Sequence, residues 1–295
     1  MDWLACIQKT IFLLENHLTD ENSIDVAKEV GVSSVYLQKG FSLMTGYSMG
    51  EYVRNRKLYL AALDVLSQKE SLLDIAFKYG YENYESFNKA FVRFHGITPT
   101  GLKKEPSKFR TFLSLKIKID IQGGNDMKYT IVKMPAFKLV GFSKEFKFDE
   151  AYEKIPKFWN EFMQNYGFKL MCSGKKPETE IEETICNCIV GKYGVCVDSD
   201  NGKSFKYFIS GEYTDGDVPE GMDSLEIEEM NWAKFECIGP VPGAIQSMNT
   251  QIFKEWLPSN PDYEIAKGIN IEFYSNGDPS SADYLSEIWI PVKKK

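Results

Sequence analysis

A chain of 295 residues, 43% hydrophobic and 14% aromatic, is too long for one small core and carries apolar material for two domains. The net charge of −7 is uneven: residues 1–110 hold 14 Lys/Arg against 13 Asp/Glu, and residues 127–295 hold 19 against 27. A broadly basic surface is therefore excluded, and the acidic C-terminal part is not expected to touch nucleic acid.

His17 and His95 are the two histidines, so neither a His-based catalytic triad nor a His-ligated zinc can be built within residues 96–295. No apolar run approaches the ~20 residues needed to span a bilayer. The first residues read as a helix start, not a signal peptide, and the six cysteines lack CxxC or metal-ligand spacing. The expectation is a cytoplasmic protein with reduced cysteines, no metal and no cofactor, and no membrane partner.

Residues 2–18 place Leu4, Ile7, Ile11, Leu14 and Leu18 at helical spacing. Asn22 and Ser23 can cap the helix carrying Asp25–Val30, and Ser33 the next one, about 34–45, which ends at Gly46. Residues 49–66 form a long helix with Leu58, Ala62 and Val65 inward. Ser71-x-x-Asp74 opens a further helix, and Asn83 can cap one over about 84–94. The segment Asp25-Val-Ala-Lys-Glu-Val-Gly31 recurs as Asp74-Ile-Ala-Phe-Lys-Tyr-Gly80, 49 residues on. Each glycine is followed by a polar turn and an apolar pair four apart, Leu37/Phe41 and Phe87/Phe91. That is a helix-turn-helix written twice, although one copy alone fits a plain helical hairpin equally well.

The run Phe87-x3-Phe91-x2-Phe94-x-Gly96-Ile97-Thr98-Pro99 resembles the signature closing the DNA-binding domain of AraC/XylS-type transcription regulators. The resemblance covers residues 1–108 and implies two reading helices that enter successive major grooves of double-stranded DNA about one turn, ~34 Å, apart. Opposite the apolar pairs lie Ser34, Val35, Gln38, Lys39 and Ser42 in the first copy, and Tyr84, Glu85, Asn88 and Lys89 in the second. Gln38 and Asn88 suit adenine, Lys39 and Lys89 guanine or phosphate, and Glu85 cytosine. Arg54, Lys57 and Arg93 are the phosphate candidates. Val35 stands where drug-resistance members of the family often carry tryptophan, so their target sequence does not transfer. RNA polymerase is a further partner in keeping with such a regulator.

A polar boundary at 103–108 opens a connecting segment, 109–126. Within it, alternation from Leu113 to Ile121 predicts a strand over 112–121 that ends at Gly123–Asp126. Residues 127–295 then mix strands (129–133, 138–142, 186–196, 204–213, 223–230 opposing 232–239, 270–274, 286–292) with helices at 149–163 and 244–256. Cys186 and Cys188 would share a strand face. The expected architecture is an all-α double helix-turn-helix domain followed by an α+β domain, with strand-helix-strand-strand written twice on a mostly antiparallel sheet.

This order resembles the gyrase-inhibitor-like effector-binding module of multidrug-sensing regulators. The carrying motifs are Ile131-x3-Pro135-x-Phe137-x3-Gly141, Phe208-x2-Gly211, Trp232-Ala-x-Phe235, Glu255-Trp-Leu-Pro258, Ile271-Glu-x-Tyr274 and Glu287-Ile-Trp-Ile-Pro-Val292. The resemblance places Glu272 at the floor of a ligand cleft. A carboxylate among aromatics attracts organic cations, so a cationic amphipathic effector is expected, with Tyr274, Trp159, Tyr193, Tyr207, Phe235, Trp256 and Trp289 as aromatic candidates. The function expected is ligand-responsive transcription regulation, without catalysis. Two alternatives are a Glu/Tyr-dependent hydrolase of small electrophiles and a domain that recruits a protein partner.

Overall fold

The computed structural model describes residues 3–19, 24–117, 127–173, 175–199, 203–213 and 215–295. The expected caps Asn22 and Ser23, and residues 118–126, lie outside them. The chain forms two compact units that are discontinuous in sequence. Asp2–Val30 groups with Thr45–Ile121, and Gly31–Met44 groups with Gln122–Lys295.

The first unit is helical: α1 (Trp3–Asn16) and α2 (Val26–Val30), then, past the next helix, α4 (Met49–Ser67), α5 (Leu72–Lys78), α6 (Tyr84–His95) and α7 (Pro99–Lys104). Ser48 and Glu51 form a reciprocal capping box that starts α4, Ser71 accepts from the Asp74 amide, and Asn83 from that of Ser86. Leu58, Ala61, Ala62 and Val65 of α4 pack with Ile75, Ala76, Phe87, Phe91 and Leu102 into one buried cluster, the core of the second helix-turn-helix. Its turn needs Gly80, whose φ is 80°.

α1 and α4 meet at a partly buried carboxylate. Arg56 donates from Nε to Glu15 Oε1 (2.7 Å) and from Nη2 to Oε2 (2.8 Å), and the Tyr52 hydroxyl donates to Oε1 (2.6 Å). Burial raises the Glu15 pKa, but hydrogen bonds from Arg56 and Tyr52 outweigh it and leave the carboxyl below its ordinary value. The same α4 residues claim the connecting segment. Arg56 Nη1 donates to the Phe112 carbonyl (2.6 Å) and the Leu115 amide donates to the Tyr52 hydroxyl (3.3 Å). Residues 112–117 are therefore not the expected strand: these backbone groups bond to side chains instead of a ladder.

The second unit is a nine-stranded antiparallel sheet: β1 (Tyr129–Met134), β2 (Phe137–Lys147), β3 (Tyr193–Asp198), β4 (Ser204–Glu212), β5 (Asp223–Ile227), β6 (Met230–Ile238), β7 (Tyr263–Ile265), β8 (Ile269–Tyr274) and β9 (Leu285–Lys294). Strand order is β1-β6-β9-β8-β3-β4-β2-β5, with β7 also on β9. β5 pairs with β2 and not, as expected, with β6. Helix α8 (Ala151–Phe162) continues as π-helix through Cys172 and, with α9 (Glu180–Cys188), packs on β2 and β4. Helix α10 (Gly243–Gln251) continues as π-helix to Trp256 and packs on β6 and β9. Of the strand expected over 186–196, residues 193–196 are strand within β3, but Cys186–Cys188 end helix α9: Thr179 caps Glu182, and Glu182, Ile185 and Cys188 form a buried face at helical spacing.

Helix α3 (Ser34–Thr45) lies in this second unit through Met44. Ser33 caps it, accepting from the Tyr36 amide (3.4 Å), and Gly31, at φ 74°, makes the turn before it.

Candidate DNA-reading helices and effector site

Helix α6 buries the apolar pair its sequence predicts, but of the four residues expected outward only Glu85 and Lys89 are exposed. Phe87 and Phe91 are fully buried, Tyr84 and Asn88 half-buried, and Glu85, Lys89 and Arg93 exposed. Lys89 pairs with Glu85 at 2.6 Å on that outer face. The Asn88 Oδ1 is buried with no hydrogen-bond partner among the described residues. Of the phosphate candidates on α4, Arg54 is exposed, whereas Lys57 is half-buried against the Gly80 turn, and burial lowers its pKa.

Helix α3 differs. Ser34 and Val35 are buried rather than outward, and Gln38, Lys39 and Ser42 are only half-exposed. Val35, 4% exposed, belongs to the cluster built from Val140, Phe146, Phe158, Phe162, Tyr207 and Ile209, where one such side chain contributes about 1.5–3 kcal/mol. Asp198, at the end of β3, accepts from the backbone amides of Ser34 (3.1 Å) and Val35 (2.6 Å). Its carboxylate thus faces the positive end of the α3 dipole. Burial raises the Asp198 pKa in spite of those hydrogen bonds and one from Ser33. Tyr36 is wholly buried, its hydroxyl donates to the Ile269 carbonyl (2.7 Å), and its ring lies 6.2 Å from that of Phe253. Lys39 Nζ reaches Asn270 Oδ1 at 3.5 Å.

Sheet register sorts the effector candidates by face. Glu272 pairs with Gly194 and Ile288, Asn270 with Cys196, Cys196 with Tyr207, and Ile288 with Phe235. With the two-residue alternation of strands, Glu272, Tyr274, Cys196, Tyr207 and Phe235 therefore share one face. On it the Tyr274 hydroxyl donates to Glu272 Oε2 (3.0 Å), and Trp159 of α8 donates from Nε1 to the Tyr207 hydroxyl (2.9 Å). The Trp159 and Tyr274 rings meet edge to face at 5.4 Å. Glu272 is half-buried, with no cation at ion-pair distance among the described residues. Burial, then the Glu272 charge, pushes the Tyr274 and Tyr207 hydroxyls well above their ordinary pKa and the Cys196 thiol up to about 12, so all three are neutral at neutral pH and Cys196 supplies no thiolate nucleophile.

The remaining candidates stand elsewhere. Tyr193 pairs with Phe273 and Trp289 with Ile271, one residue out of step with Glu272, so both lie on the opposite face. There the Lys234 ammonium sits 3.5 Å from the Trp289 ring centroid. Phe235 is on the Glu272 face but fully buried, and its ring packs 4.9 Å from that of Trp256. A recess of about 340 Å³ lined by Asn187, Cys188, Ile189, Lys192, Glu212 and Tyr213 includes none of the Glu272 cluster. Among the described residues, no group of three or more His, Cys, Asp or Glu could hold a metal.

Sequence reasoning missed Asp198, Asn270 and Tyr36. The first two carry no signal in the sequence. The third does: Val35-Tyr36-Leu37 puts three apolar residues in a row on α3, a wider apolar arc than one packing face requires.

Known proteins match both parts. Residues 130–292 match the family described as integron-associated effector binding protein, and residues 26–105 one described as helix-turn-helix domain. Regulatory protein SoxS of Salmonella typhimurium is 37% identical over 95 residues, 32% of this chain and 89% of that protein. Right origin-binding protein of Escherichia coli K12 is 26% identical over 174 residues, 56% of this chain; the match spans 59% of that relative's length. Among solved structures, SAV2435 bound to tetraphenylphosphonium aligns with 57% of this chain and 94% of its own, at 22% identity and a TM-score of 0.46. No helix among the described residues is long and apolar enough to cross a membrane. The chain is a member of the integron-associated effector-binding family, joined to a helix-turn-helix segment of the AraC type.

Proposed function

We propose that the protein is a ligand-responsive transcription regulator whose C-terminal sheet binds a small cationic amphipath and whose reading helices bind double-stranded DNA. The observation that carries the effector half is the Glu272 cluster: a carboxylate with one tyrosine hydroxyl on it, no cation paired with it among the described residues, and the rings of Trp159, Tyr207 and Tyr274 near it. Such a site offers an organic cation both Coulomb and cation–π attraction where water is partly excluded. Neutral phenols and a neutral thiol leave the carboxylate as the charged group that selects. The exposed Glu85, Lys89 and Arg93 of α6 support the DNA half.

Isothermal titration of the full chain with tetraphenylphosphonium, a compact lipophilic monocation, and triphenylphosphine oxide, a neutral relative, tests the effector half. Glu272→Gln keeps shape and hydrogen bonding. It is expected to lose about 1–3 kcal/mol for the cation and little for the neutral compound. Equal losses for both would indicate a shape defect, and unchanged binding of both would place the site elsewhere.

A further inference from the structure

Helix α3 is engaged with the effector domain on both sides of its N-terminus. Asp198 holds the Ser34 and Val35 amides, Val35 enters the cluster that contains Tyr207 and has Trp159 packed on it, and Tyr36 and Lys39 bond to β8 at Ile269 and Asn270. Asn270 and Glu272 are alternate residues of one strand face. Lys39 reaches Asn270, two residues from Glu272 on that face, so the helix's own cation is one strand position away from the effector carboxylate without pairing with it. An organic cation on Glu272 would therefore press on walls that Val35 already uses and repel Lys39.

We propose that α3 is stored against the sheet face that carries Glu272, and that an effector arriving at Glu272 displaces it, freeing the first reading helix for DNA. This rests on the effector reading above. In the stored state Ser34 and Val35 are buried and Gln38, Lys39 and Ser42 are half-covered, so DNA is read by α6 alone; in the released state both helices read. Effector and DNA are then coupled by competition of ligand and α3 for one sheet face, and the coupling is reciprocal: DNA that captures α3 raises affinity for the effector.

The test uses the full chain and a duplex selected from a random pool by the Asp198→Ala chain. Amide exchange of residues 34–41 and hydroxyl-radical footprints are recorded with and without tetraphenylphosphonium. Wild type without ligand is expected to show slow exchange and protection of one major groove. Asp198→Ala is expected to speed exchange about tenfold or more and to add protection one helical turn away. Val35→Glu/Tyr36→Ser, which gives α3 the residue types of α6, should speed exchange similarly, and circular dichroism confirms that either chain remains folded.

Tetraphenylphosphonium should reproduce both effects in wild type. If it binds while exchange and footprint stay as they were, displacement is overturned. If it fails to bind but Asp198→Ala frees α3 and lengthens the footprint, storage of the helix stands and the effector reading falls. A two-groove footprint from unliganded wild type, or unchanged exchange in both folded variants, overturns storage itself.

Discussion

Helices α3 and α6 occupy equivalent places in a repeated motif, yet differ at two positions that decide what each can do. With Leu37 matched to Phe87, Val35 and Tyr36 of α3 correspond to Glu85 and Ser86 of α6. Glu85 and Ser86 are exposed, while Val35 and Tyr36 are buried against the C-terminal sheet. The inner face of both helices is the same kind of apolar pair. The outer face of one is exposed, and that of the other is packed against the chain's own C-terminal domain. A helix-turn-helix repeat therefore does not imply two equally exposed second helices; the polarity of two outer residues separates an open helix from an engaged one.

The strongest way to test this difference is to remove the core of one helix and watch the other. Phe91→Ala deletes a fully buried ring that packs on Phe87 and His95 and is expected to cost about 3–5 kcal/mol of the helical unit's stability. Amide protection at the first turn of α3 should persist in that variant, because Asp198 and β8 supply its partners. Loss of α3 protection in step with the helical unit, followed by denaturant titration and exchange, would erase the distinction between the two helices.

A smaller effect is expected from the matched lysines. Lys89 is exposed on α6, whereas Lys39 is half-buried and reaches Asn270. Without effector, Lys89→Ala should weaken binding to the selected duplex by about 1–3 kcal/mol if it contacts a base, and Lys39→Ala should change it little. Fluorescence anisotropy at fixed salt reads both. Equal losses would mean that α3 already contacts DNA in the unliganded protein.

Much of this was legible in the sequence, for identifiable reasons. The two helix-turn-helix copies are local patterns of caps, turn glycines and i, i+4 pairs, and α4, α5 and α6 lie where those patterns put them. The Glu272–Tyr274 relation follows from strand alternation, and the hydrogen bond between them is present. What the sequence could not deliver depends on register between distant strands. Tyr193 is one residue out of step with Glu272, and a one-residue offset moves an aromatic to the other face. The bond from Asp198 to residues 34 and 35 spans more than 160 positions, and no local rule reports it. Residues 112–117 alternate as a strand should, but Arg56 and Tyr52 offer their backbone groups other partners.

The smallest effect separates the two units by pH. His95, at the end of α6, is buried with both ring nitrogens engaged: Nε2 lies 3.0 Å from the Leu58 carbonyl and Nδ1 accepts from the Arg110 amide at 3.1 Å. The Leu58 contact requires Nε2–H as donor, so the ring that fits is neutral, and a proton on Nδ1 would face another N–H. Burial, assisted by the Arg110 charge and opposed by the Leu58 bond, lowers the folded pKa below 6.5. Above pH 6.5 both folded and unfolded chains carry a neutral His95, and stability does not depend on it. Below 6.5 the unfolded chain takes up a proton that the folded chain refuses, so stability falls as pH drops toward the folded pKa, by at most about 1.4 kcal/mol per pH unit. The α3-bearing unit contains no histidine, and the raised Asp198 pKa acts with the opposite sign, because the folded state there holds its proton more tightly than the unfolded chain. Urea titrations at pH 7.5, 6.5 and 5.5 should therefore move the helical transition to lower urea as pH falls. His95→Gln should be less stable throughout but without that slope. An unaltered slope in His95→Gln would assign the acid sensitivity to other groups, and a parallel shift of both units would remove pH as a way to tell α6 from α3.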